Sequence, residues 1–81
     1  MRVRVKLFAV ARQRVGRDSL EIELSGNPTV RHLRQALLEQ YPPLANVVSH
    51  ARFAINSEDA SDADALPAAG EIAIIPPVSG G

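Results

Sequence analysis

The chain has no cysteine and no tryptophan, and aromatic residues make up only 4% of its 81 residues. Without a thiol there is no disulfide framework, no thiolate metal site and no cysteine nucleophile. Net charge is also missing: nine Lys and Arg balance nine Asp and Glu. That argues against a nucleic-acid binder, which carries a basic excess. No stretch approaches the roughly 20 consecutive apolar residues of a membrane helix. The opening MRVRVKLF alternates charged with apolar residues, so it holds no signal-peptide core. These absences lead us to expect a cytoplasmic domain with neither nucleic acid nor membrane as a partner. The length fits a single domain near the lower limit for folding without staples, and 46% hydrophobic residues are ample for its core.

What is present is patterned. RVRVKLF places Val3, Val5 and Leu7 on one face of a strand and Arg2, Arg4 and Lys6 on the other. SLEIEL repeats this with Leu20, Ile22 and Leu24 against Glu21 and Glu23. Antiparallel pairing of the two sets basic side chains opposite glutamates on the wet face. The connecting VARQRVGRD, with Gly16, reads as the long loop of a hairpin. NPTVRHLRQALLEQYPPL then switches period. Val30, Leu33, Leu37 and Tyr41 recur at helical spacing, with Arg31, Arg34, Gln35 and Glu39 elsewhere on the wheel. Thr29 is the expected N-cap, although His32 stands where a capping box wants Glu. Pro42-Pro43 ends the helix.

RFAIN reads as a short strand with Phe53 and Ile55 on one face, and SEDASDADALPAAG as a loop with at most one ill-defined strand or turn. EIAIIP is almost continuously apolar, which predicts a central strand covered on both sides. The order ββαββ predicts an α+β fold of the β-grasp, ubiquitin-like kind. Its mixed sheet has four to five strands, with one main helix packed on one face. Residues 1–75 form that domain and residues 76–81 an extended C-terminal tail.

The body of the domain offers no catalytic apparatus. His32 and His50 lack companions at ligand spacing and read as solvated. Glu58, Asp59, Asp62 and Asp64 crowd one loop, but it lacks the central glycine and final glutamate of a calcium loop. The glycines form no phosphate-binding pattern. We expect no metal and no bound cofactor.

The ending PPVSGG is where the sequence is specific. Pro76 and Pro77 have no backbone N–H, so the strand's ladder stops there. Proline pairs favour an extended polyproline conformation, and six residues then reach just under ~19 Å. Gly80 and Gly81 lack a Cβ and fit a channel too narrow for other residues. A carboxylate at Gly81 is a poor electrophile until ATP converts it to an acyl-adenylate. A sulfur or amine nucleophile can then attack, giving a thiocarboxylate or an amide.

KLFAVARQRVG, TVRHLRQAL, FAIN and above all EIAIIPPVSGG resemble the small, sulfur-carrier subunit of molybdopterin synthase over nearly the whole chain. The resemblance implies that Gly81 is adenylated, with ATP, by an E1-like activating enzyme and then sulfurated to 1-thioglycine. It implies further that Pro76, Pro77, Val78, Ser79 and Gly80 thread a channel in the large synthase subunit. There the tail donates sulfur to cyclic pyranopterin monophosphate in molybdenum cofactor biosynthesis, within a heterotetramer whose catalytic groups lie on the large subunit. Two positions depart from the family's habit. Ala68-Ala69-Gly70-Glu71 replaces an Asp-Gly-Asp-Glu turn, and Arg12-Gln13 replaces Arg-Glu. A thiamin-type sulfur carrier and a ubiquitin-like modifier conjugated through Gly81 are the alternatives.

A partner-binding surface is expected at the root of the tail. Strand alternation turns Phe8 outward at the end of the first strand, and Ala73 and Ile75 outward on the last. In a β-grasp these strands are parallel neighbours. Phe8 and Ile75, continued by Pro76, Pro77 and Val78 and flanked by Lys6 and Arg12, then form an interface.

Overall fold

In the computed structural model, which describes residues 1–75, the two alternating segments pair as their pattern requires. β1 (Arg2–Lys6) and β2 (Ser19–Glu23) run antiparallel with Arg2 opposite Glu23 and Arg4 opposite Glu21. Val3, Val5, Leu20 and Ile22 are thereby buried on the inner face. On the outer face the Arg2–Glu23 and Arg4–Glu21 pairs span 3.5 Å each. Exposed pairs of this kind contribute at most about 1 kcal/mol. Glu23 also accepts from the N-terminal ammonium, at 3.2 Å. That contact, reinforced by Arg2, holds its carboxyl below the usual carboxylate range.

The remaining elements are α1 (Ala9–Val15), α2 (Val30–Gln40), a 3-10 turn at Pro42–Leu44, α3 (Ala45–Val48), β3 (Arg52–Ile55), β4 (Glu58–Ala60) and β5 (Ile72–Ile75). One five-stranded sheet has the order β2-β1-β5-β3-β4, with β1 and β5 parallel and the other pairs antiparallel. β5 is central, and Ile72, Ala73 and Ile74 are buried, as the apolar run predicts. Val30, Leu33 and Leu37 of α2 are buried with Phe53 in the same core. α2 ends before the two prolines, and Tyr41 follows it half-buried.

Four local expectations are corrected. The presumed hairpin loop after β1 contains α1. Gly16 ends this helix in the left-handed conformation (φ 77°), its N–H donating to the Arg12 carbonyl at 2.7 Å. β4 is a defined strand in the stretch read as loop with at most one ill-defined strand or turn. Ile55 pairs with Glu58 across Asn56-Ser57, whose φ values of 51° and 70° are those a two-residue hairpin turn demands. His32 completes the capping box after all: the Thr29 N–H donates to its Nδ1 at 2.9 Å, so imidazole substitutes for the glutamate carboxylate. The next two free amides of α2 are met from the acidic loop. Val30 N–H reaches the Asp64 carbonyl and Arg31 N–H the Asp62 carbonyl, both at 3.0 Å.

Arg34 is the fourth correction. Its side chain is not on the solvated face but folds under the helix, where it is only 18% exposed. The guanidinium donates to the carbonyls of Val48 and Ala51 and to Asp62, and lies over the Phe53 ring at 4.9 Å. A long side chain at the edge of the apolar stripe reaches what periodicity cannot show.

The Ala68-Ala69-Gly70-Glu71 turn delivers the chain into β5 by a specific device. Asn56 N–H donates to the Glu71 carbonyl at 2.7 Å, and its Oδ1 accepts from the Glu71 N–H at 2.9 Å. Gly70 has φ 147°, and a Cβ there would lie 3.1 Å from that Oδ1. Glycine is required at this point, whereas the two alanines before it are exposed.

Candidate partner-binding surface

The surface starts from the alternation of β1. Leu7 is buried, so the next residue, Phe8, points away from the core and is 46% exposed. The chain then turns sharply at Ala9 (φ 50°) into α1, which leaves Val10 36% exposed. The register Val5–Ile72 and Lys6–Ala73 carries Phe8 and Ile75 each two residues past the last pair, at the same end of adjacent strands. Ile75 is 38% exposed. Phe8, Val10 and Ile75 are the large hydrophobic side chains exposed among the described residues. Ala73 is a correction. It lies on the outer face yet is buried, because its methyl sits between Lys6 of β1 and Ala54 of β3 in mid-sheet.

The flanking charges are anchored. Lys6 Nζ meets Glu71 at 2.6 Å, and Arg12 stands 3.6 Å from Asp18. A cleft of about 240 Å³ opens between β1, α1 and the start of β2, bounded by Arg4, Lys6, Phe8, Arg12 and Asp18. The structure therefore brings Phe8, Lys6 and Arg12 together around one concavity, with Ile75 on the neighbouring strand. Pro76, Pro77, Val78, Ser79, Gly80 and Gly81 lie outside the described residues.

The other titratable groups have scaffold tasks. Asp59 forms a two-pronged pair with Arg52, at 3.1 and 2.7 Å, which holds the guanidinium proton still more firmly. Asp62 serves Arg34, and Asp64 Oδ2 accepts from the Ser61 N–H at 2.9 Å. The main-chain carbonyls of Asp62 and Asp64 meet the first amides of α2, and His50 lies exposed beyond α3.

Sequence reasoning missed the contribution of α1. Its marks are local and too few to form a stripe: Gly16 as a cap, Arg12 and Arg14 in the last turn, and Ala11 with Val15 four apart on an inward face.

Comparison with known proteins agrees with this architecture. The pattern that defines the ThiS family matches residues 5–81. The molybdopterin synthase sulfur carrier subunit of Arabidopsis thaliana is 34% identical over 79 residues, covering 98% of this chain and 82% of that protein. The protein of the same name from Caenorhabditis briggsae is 36% identical, with 98% and 96% covered. A crystal structure of SAMP1, the small archaeal modifier protein 1 of Haloferax volcanii, covers 100% of both chains at 30% identity with a TM-score of 0.84. On its sequence match and on its β-grasp fold, the chain belongs to the ThiS family.

Proposed function

We propose that this protein is a cytoplasmic sulfur carrier, acting as the small subunit of a molybdopterin synthase. Its terminal glycine, Gly81, is the reacting group. A carboxylate oxygen attacks the α-phosphorus of ATP in an E1-like partner, expelling pyrophosphate and giving an acyl-adenylate. A sulfur nucleophile at the sulfide level attacks the acyl carbon and expels AMP, leaving the thiocarboxylate. Inside the large subunit that sulfur passes to cyclic pyranopterin monophosphate, and the glycine returns as a carboxylate. The observation that carries the reading is the placement of β5. A buried central strand, parallel to β1, ends at the level of Phe8 and is followed in the sequence directly by PPVSGG. Phe8, Ile75, Lys6 and Arg12 seat the partner, while the acyl chemistry belongs to groups the carrier lacks.

Likeness to small archaeal modifier protein 1 favours one second reading, in which Gly81 is joined to a lysine of a target protein. Intact mass of the protein isolated from its host separates the two. A gain equal to the difference between sulfur and oxygen supports the carrier, and adducts heavier by a whole protein support the modifier. Reconstitution with the large subunit and cyclic pyranopterin monophosphate then distinguishes this carrier from a thiamin-type one, which delivers its sulfur elsewhere. Failure of the sulfurated protein to yield the dithiolene would remove the molybdopterin assignment.

A further inference from the structure

α1 has two unlike faces. Ala11 is fully buried and Val15 packs against the core, so this side is committed to the fold. Val10 and Arg14, one turn apart, lie on the other side, and Arg17 follows the Gly16 cap. Residues 1–18 contain Arg2, Arg4, Lys6, Arg12, Arg14 and Arg17 but a single acid, Asp18. The strand cations are matched, Arg2 by Glu23, Arg4 by Glu21 and Lys6 by Glu71. Of the helix cations only Arg12 has a partner, Asp18; among the described residues Arg14 and Arg17 enter no ion pair. A chain of zero net charge thus leaves an uncompensated positive strip beside its exposed apolar residues. The strip begins at Ala9, where φ 50° strains an L-residue by roughly 1–2 kcal/mol. Strain of this kind persists where the surrounding structure fixes a conformation that is used.

We infer that α1 is part of the interface, and that the partner seated on Phe8 and Ile75 continues over this helix. It places an apolar contact on Val10 and carboxylates opposite Arg14 and Arg17. An apolar centre bordered by charges is the usual anatomy of a protein interface, and the charge complement of two unpaired guanidiniums is an acidic rim. The inference rests on the proposed function, since the partner used to test it is the large subunit of molybdopterin synthase from the same host.

The experiment titrates that large subunit, by calorimetry and by stopped-flow association, with the parent protein and with three variants. These are Arg14→Glu/Arg17→Glu, Arg14→Lys/Arg17→Lys and Val10→Ser, all at exposed positions where thermal melts serve as a folding control. Double charge reversal should weaken binding by about tenfold or more at low salt, chiefly through a slower association rate. The gap should shrink near ~0.5 M salt as the charges are screened. The lysine pair should bind like the parent, and Val10→Ser should lose affinity by a salt-independent factor. If the parent binds while charge reversal and Val10→Ser stay within twofold of it at both salt concentrations, α1 is outside the interface. Absence of binding by the parent itself would instead overturn the assignment of the large subunit as partner, and this inference with it.

Discussion

Truncating Arg34 to alanine removes a half-buried cation that ties α2 to its neighbours. The guanidinium donates to Asp62 Oδ1 and the Ala51 carbonyl at 2.8 Å each, and to the Val48 carbonyl, over the face of Phe53. A hydrogen bond to a charged group contributes about 1.5–3 kcal/mol, and leaving a buried partner unpaired costs about 1–3 kcal/mol. Two corrections lower the sum. Asp62 is 42% exposed and regains water readily, and Arg34 Nε is itself buried without a partner. The main-chain carbonyls and the lost ring contact therefore carry most of the effect, at about 3 kcal/mol. At ~4–8 °C per kcal/mol for a domain of this size, Arg34→Ala should melt roughly 12–24 °C below the parent. Arg34→Lys recovers one carbonyl but neither the fork nor the stacking, and should lose about half as much. Asp62→Asn keeps an acceptor and should lose least. Circular dichroism melts with matched urea titrations measure the series. If Arg34→Ala melts within about 4 °C of the parent, the guanidinium is not what joins α2 to the α3–β3 connection and the acidic loop.

Appending one alanine after Gly81, or deleting Gly81, should abolish sulfur transfer in the reconstituted synthase with no change in the melting curve. Phe8→Ala and Ile75→Glu should each weaken binding to the large subunit by tenfold or more while the fold survives; calorimetric titration reads this, since truncating an interface anchor costs about 1–2 kcal/mol or more. His32→Ala should lower stability by about 0.5–1 kcal/mol through loss of the capping box, whereas His32→Glu should keep it; both are read from urea midpoints. Glu23 has its carboxyl pKa depressed by the N-terminal ammonium, then by Arg2. Its stabilising contribution is therefore complete above the ordinary carboxylate range and disappears as pH falls through the depressed value. NMR titration should place the Glu23 midpoint below the ordinary glutamate value, and acetylating the N-terminus should close most of the gap.

Long, strictly periodic segments were legible in the sequence because one face of each is buried. While the register that sets Arg2 and Arg4 against Glu23 and Glu21 needed the structure, β1, β2, α2 and the central β5 were readable, as was the pairing of basic residues with glutamates on the wet face. α1 was not, since seven residues that bury Ala11 and lean on Val15 produce no stripe to count. β4 has three residues at a sheet edge, two of them acidic, and it exists because Asn56-Ser57 folds it back onto β3. Arg34 and Ala73 fail for a related reason. Periodicity assigns a side chain to a face, but length takes the arginine under its helix, and mid-sheet neighbours cover the alanine. At the candidate interface, alternation was enough to expose Phe8 and Ile75. Val10 and Arg14 needed the helix that composition did not announce.

The balance of nine positive and nine negative residues conceals how differently the two sets are used. Asp59 is paired with Arg52, Asp62 with Arg34, Glu71 with Lys6, and Glu21 and Glu23 with the cations of β1. These acids close the hairpin, the acidic loop and the sheet, so they are committed to holding the scaffold. Arg14 of α1 and Arg17 just after it have no such duty among the described residues, and they follow β1 at the end of the sheet where β5 finishes. A small neutral protein built this way still projects a positive field locally, and such a field speeds and orients the approach of an acidic surface. Zero net charge therefore leaves room for a directed protein encounter. Under the proposed function orientation matters, because Gly81 has to be presented to the partner that reacts with it.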